Sequence, residues 1–152
     1  MNIIKKISIL ILSAVTLVSC SHKEEPIVYL DVNAHNISGS WKLVEWNGTE
    51  LDASTYMYVN FVRNDRTFTI YQNMDSFTDV PHVATGSFFI ETDVELGAII
   101  RGAYDFGQGD WEHRYYVRNL TNERMEWVAT DNENVVMVYI RAELPEWIES
   151  EE

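Results

Sequence analysis

Between Ser38 and Ala142 the sequence breaks into eight short runs rich in Val, Ile, Tyr, Phe, Trp and Thr. They cover roughly residues 39–46, 56–63, 66–73, 82–91, 98–105, 113–119, 123–130 and 134–142. Short β-branched and aromatic runs, separated by turn formers at short intervals, specify an all-β sandwich or barrel. Side-chain alternation supports this, because a half-buried strand sends every second residue to one face. Trp41 and Leu43 share a face opposite Ser40 and Lys42; Met57, Val59 and Phe61 oppose Tyr58, Asn60 and Val62. Phe68 and Ile70 oppose Thr67 and Thr69, and Ala84, Gly86, Phe88 and Ile90 continue the pattern, whereas the last two runs are more evenly apolar. Connections 63–66, 119–123 and 130–134 are short and contain Asn or Asp, which tolerate the left-handed backbone of tight hairpins. Only 74–81, 92–97 and 106–112 are long enough for the cross-connections of a sandwich. No stretch keeps a helical period over ten residues, and Leu144 to Glu149 has room for one turn after Pro145. The expected fold is therefore an eight-stranded antiparallel up-and-down barrel over residues 37–144, which closes both sheet edges.

Outside that region the composition changes. Lys5 and Lys6 precede the apolar run Ile7 to Val15, and the first 20 residues contain no acid, which is the layout of a signal peptide over residues 1–19. The run is too short for a spanning helix of about 20 residues. Leu17-Val18-Ser19-Cys20 resembles the lipobox of bacterial lipoproteins, in which the cysteine becomes the lipidated first residue, acylated for example by palmitate. Cys20 is the only cysteine, so lipidation also removes an unpaired thiol from an oxidising compartment. Residues 20–36 are polar at first and without periodicity, and are expected to be a flexible tether between membrane and barrel. Within it, Lys23-Glu24-Glu25 looks like the lysine-plus-two-acids signal that carries some Gram-negative lipoproteins to the outer face of the outer membrane. The expected location is thus the outer membrane, lipid-anchored, on its periplasmic or cell-surface face. Residues 145–152 hold four glutamates and read as a solvated acidic tail.

Charge and motif content narrow the chemistry. The chain has 11 basic and 24 acidic residues, a formal charge of −13, and loss of Lys5 and Lys6 with the leader makes it −15. Nucleic acid is excluded as a partner, because phosphate binding needs a positive field. His22, His35, His82 and His113 have no metal-ligand spacing, and no metal or cofactor is expected. There is no nucleophile elbow, Walker loop or Rossmann glycine pattern, and no catalytic residue is assigned. Asp105, Asp110, Glu112 and Glu126 would support acid–base chemistry only if the fold brought them together.

At the head of the first run stands Ser38-Gly39-Ser40-Trp41, followed by Lys42-Leu43-Val44-Glu45-Trp46-Asn47-Gly48. Gly39-x-Trp41, with the Lys-Leu and Asn-Gly that follow, resembles the opening strand of lipocalins and of the lipocalin-like domains of bacterial outer-membrane lipoproteins. The resemblance implies that Trp41 closes the barrel base and that Arg141, in the last run, lies across it, stacking its guanidinium on the indole. It covers residues 38–142 and departs from typical lipocalins in lacking a second cysteine and a clear C-terminal helix.

All 19 aromatic residues lie outside the leader, more than one packed inner layer requires. Two readings follow. In the first, the barrel holds a small, largely apolar ligand, contacted by Tyr56, Tyr104, Phe106, Trp111, Tyr115, Tyr116 and Trp127. Among these, Tyr104 to Trp111 belong to a loop with glycines, acids and aromatics at both ends. In the second, the barrel is solid, and the protein is a surface-exposed module whose loops contact a protein or glycan.

Overall fold

The computed structural model describes residues 25–74 and 81–149; the leader, Cys20 and the Lys23-Glu24 part of the surface signal lie outside them. A short helix α1 (Ala34–Ile37) leads into strands β1 (Gly39–Trp46), β2 (Thr49–Glu50), β3 (Met57–Val62), β4 (Thr67–Gln72) and β5 (His82–Asp93). The chain continues through β6 (Gly97–Tyr104), β7 (Tyr115–Arg118), β8 (Arg124–Ala129) and β9 (Val136–Arg141) to a final turn of helix α2 (Glu146–Glu149). Every strand pairs antiparallel with its neighbour, and β1 also pairs with β9, which closes the sheet. Set aside the two-residue β2, a hairpin extension of β1, and the result is the expected eight-stranded up-and-down barrel. Each of the eight runs contains one barrel strand.

Turn chemistry sets the ends of these strands. Asn47 and Gly48 both have positive φ, 51° and 78°, between the paired Trp46 and Thr49, as a two-residue hairpin requires. Arg66 and Asn119 supply the left-handed residue in the 63–66 and 119–123 connections. The registers place the start of β1, the β3–β4, β5–β6 and β7–β8 turns and the end of β9 at one pole. Connections 47–56, 105–114 and 130–135, together with the end of β4 and the start of β5, lie at the other.

The interior of the first pole is packed solid. Trp41, Leu43, Val59, Phe61, Phe68 and Phe88 are at most 1 % exposed, and Phe61 meets Phe88 edge-on at 5.0 Å between ring centres. Two glycines make room for aromatic rings. A Cβ on Gly86 would fall 2.7 Å from the Phe68 ring and closer still to the Ala103 carbonyl, and one on Gly102 would fall 2.2 Å from the Trp111 indole. Glycine in a strand interior marks such close approach.

Two boundaries differ from those expected. The segment assigned to a flexible tether is held from Leu30 onward: the Leu30 N–H donates to the Leu120 carbonyl at 2.8 Å, and Leu30, Val32, Ala34 and Ile37 pack on the core. Four apolar residues in eight are too few to show a period, so their role as a lid is visible only in three dimensions. At the other terminus Ile148 is buried with Tyr58 and Tyr71 against the outer wall, so the acidic tail begins with a docked turn of helix.

Candidate functional site

Gly39, Trp41 and Arg141 meet at the solid pole. Trp41 and Arg141 are cross-strand partners, and the guanidinium carbon sits 3.9 Å from the indole centre. The Trp41 indole N–H donates to the Ile37 carbonyl at 2.7 Å. Arg141 donates to the carbonyls of Ser38, Asn36 (3.0 Å) and Asn122 (3.2 Å), tying the N-terminal lid to the β7–β8 turn. A lysine lacks the planar fork for that geometry. Burial lowers the Arg141 pKa from its usual value without discharging a group that titrates so high. Gly39 has φ 104°, and a Cβ there would come within 2.9 Å of an Arg141 terminal nitrogen. The motif is therefore a steric requirement, because the small residue leaves the space that the arginine crosses.

The opposite pole is hollow. A cavity of about 160 Å³ opens between the β1 and β9 ends and the 105–114 loop. Its walls are Val59, Ile70, Met57, Met137, Tyr139 and Trp127. Around them stand Tyr104, Trp111 and Tyr115, with Trp46 and Glu112 at the rim. Trp127 lies 4.8 Å from Tyr139 and 5.4 Å from both Tyr115 and Trp111, centre to centre, a continuous set of tilted rings. Trp111 reaches this set because its loop folds back: the Trp111 N–H donates to the Gly102 carbonyl at 2.9 Å, and the Tyr104 N–H to that of Gly109 at 2.8 Å.

Polar atoms inside are sparsely served. The Tyr139 hydroxyl and Trp127 N–H have methionine sulfurs as partners, at 3.5 and 3.3 Å, which are weak acceptors. The buried Trp111 indole nitrogen has no partner among the described residues. Burial pushes the Tyr139 phenol well above its ordinary pKa. Tyr115 is raised too, first by burial and then by the negative charge of Glu112 and the neighbouring Tyr104 and Asp131. Both phenols are neutral donors at any physiological pH.

A family model described as a lipocalin-like domain matches residues 37–127, more than half of the chain. The chain belongs to the lipocalin-like family. No curated protein matches it. The lipocalin-like match begins at Ile37, under the barrel base, and runs into β8.

Of the seven residues expected to touch a ligand in this lipocalin-like barrel, Tyr104, Trp111, Tyr115 and Trp127 line the cavity. Tyr56, Phe106 and Tyr116 do not, which corrects three assignments. Tyr56 sits on the outer wall, edge-on to Trp147 at 4.9 Å, because α2 folds back over it. Phe106 is at the tip of the loop with φ 59° and is 93 % exposed. Tyr116 points outward simply as the strand neighbour of inward Tyr115. The carboxylates do not converge. Asp105 accepts from Thr85 at 2.6 Å, while Glu126 is bound by Arg118 and Arg124 near the solid pole. Among the described residues no group of three His, Cys, Asp or Glu side chains has metal-binding geometry.

Trp46, Met137 and Tyr139 were not expected in the site. For Trp46 the cause is a β-bulge. Strict alternation from inward Trp41 and Leu43 would turn Glu45 inward and Trp46 outward, but the β1–β9 register shifts between Leu43 and Glu45, so Glu45 pairs with outward Val138 and Trp46 with inward Met137.

Proposed function

We propose that this lipocalin-like protein is a lipid-anchored, non-enzymatic carrier or sensor of a small, largely apolar ligand held at the mouth of its barrel. The observation that carries the reading is the aromatic-walled cavity of about 160 Å³. It is smaller than the roughly 300–1,000 Å³ of drug-sized sites. It compares instead with the apolar void of about 150 Å³ that accepts one benzene, so the ligand class is a single ring or a short aliphatic chain. Tyrosine hydroxyls and the rim provide the polar handles that fix orientation. Saturable one-to-one quenching of tryptophan emission by neutral benzyl alcohol is the expected result, and no saturable response to any single-ring probe overturns it.

Anchoring through Cys20 in the outer membrane completes the proposal, supported by the leader composition and the lipobox resemblance. No helix among the described residues is long and apolar enough to cross a membrane. Labelled palmitate should mark the natural chain and not Cys20→Ser, and the variant should wash off membranes at alkaline pH. Equal retention of both would refute lipid anchoring.

Phe106 favours the second reading, a surface module whose loops contact a protein or glycan. A phenylalanine this exposed at a loop tip offers an anchor for a partner.

A further inference from the structure

The mouth carries more than apolar rings. Glu112 is the one charged side chain that lines the cavity among the described residues; no Lys, Arg or His joins it. The connections around the same pole add Glu50, Asp52, Asp105, Asp110, Asp131 and Glu133. Against these the described part of the pole has two guanidiniums, Arg101 and Arg114, which share a depression with Asp110, Glu112 and Asp131 but are both drawn to Glu91 of β5, at 2.6 and 3.7 Å, so the acids still outnumber them. His113 stands between two carboxylates, with Nδ1 2.8 Å from Asp131, whose pKa that bond lowers, and Nε2 4.0 Å from Glu112. A cation entering here would lose water and gain the faces of indole and phenol rings, which attract positive charge. It would also enter a negative field that concentrates it at the mouth.

Building on the small-ligand reading above, we propose that the cavity selects an organic cation with one aromatic ring, an arylalkylammonium. The ring would pack among Trp127, Tyr139 and Met137, and the ammonium would stand at the rim between Trp46 and Glu112. An anion of the same size would meet that carboxylate and leave its own charge without a donor cation. The negative potential that Glu112 imposes on Tyr115 is the same field, read by a group already inside.

The test uses one ring with three charges: benzylammonium, benzyl alcohol and benzoate, titrated into the purified full chain by calorimetry and tryptophan emission. Benzylammonium should bind about tenfold tighter than benzyl alcohol, as a partly desolvated cation–π contact allows, and benzoate should bind weakest. Glu112→Gln should weaken benzylammonium alone, by up to about fivefold, because the carboxylate is largely exposed and screened. Trp46→Leu, at a half-exposed rim position, should reduce the same preference while keeping apolar bulk. Equal binding of the alcohol and the ammonium, or a preference untouched by both substitutions, would overturn the cation selectivity and leave the small-ligand reading standing. Binding of none of the three overturns both.

Discussion

The two poles of the barrel are built from the same kinds of residue and behave oppositely. At the closed pole one tryptophan has its ring covered by a guanidinium and its N–H bonded to a carbonyl, and the arginine that covers it is bonded to three more. At the open pole three tryptophans and three tyrosines surround a void; the Trp127 N–H and the Tyr139 hydroxyl meet methionine sulfur, and the Trp111 N–H has no partner among the described residues. Aromatic content alone therefore does not decide whether a barrel is filled. What decides it is whether each ring has a partner on its far side, and whether its polar atom is satisfied by the protein or left for something else. The first arrangement holds the fold together, and the second leaves room for a guest.

If the poles differ in this way, substitutions at them should differ in size. Trp41→Ala should have the largest effect, about 3–5 kcal/mol of stability, since it empties a fully packed site. Arg141→Lys should cost less, and a double-mutant cycle between the two should give a coupling of about 0.5–3 kcal/mol by denaturant unfolding. Additive losses would mean that the stack is geometry without energy. Gly102→Ala comes next, at about 1–3 kcal/mol, because the new methyl must displace the Trp111 ring. Its signature should be a red shift of tryptophan emission and altered probe binding, whereas Arg141→Lys at the closed pole should leave probe binding unchanged. A Gly102→Ala variant with unchanged emission would show that the ring is not seated over the glycine.

The smallest effect is expected at Glu126, on the outer wall. Burial raises its pKa, but the bonds from Arg118, Arg124 and Asn119 outweigh that and leave it below the usual glutamate value. A lowered folded-state pKa means stability that is present above the unfolded value, near 4.3, and lost as pH falls through the folded one. With both guanidiniums about half exposed, water screens the pairs. Glu126→Gln should therefore cost at most about 1 kcal/mol at pH 7, and urea unfolding at pH 3 should no longer distinguish it from the natural protein. A loss that persists in acid would point to packing instead of charge.

Period and turn chemistry made the barrel legible, since each alternating run became one strand and the Asn-containing connections became turns. The site was only half legible, for identifiable reasons. Alternation predicts a face only while the register is unbroken, and the bulge at the end of β1 reverses it just before Trp46. In β9 both faces are apolar, Met137 and Tyr139 inward against Val136, Val138 and Ile140, so no parity could be read. Tyr56 was misassigned because the residue that covers it, Trp147, is 91 positions away in a segment whose glutamates suggested a free tail. Nothing local reports the cavity volume, which depends on how far the 105–114 loop folds back over Gly102.

The point at which the chain leaves the barrel also orients the whole molecule. Residues 25–29 run beside the β7–β8 turn, and Leu30 is fixed to Leu120, so the N-terminal segment departs from the pole opposite the mouth. Ten residue steps separate Cys20 from Leu30, a reach of at most about 35 Å, only modestly longer than the roughly 25 Å of an eight-residue strand. If Cys20 carries the lipid proposed above, a barrel joined to it over that distance would start with its back to the membrane. Its mouth would then sample solutes arriving through water, and compounds dissolved in the bilayer would have to leave it first.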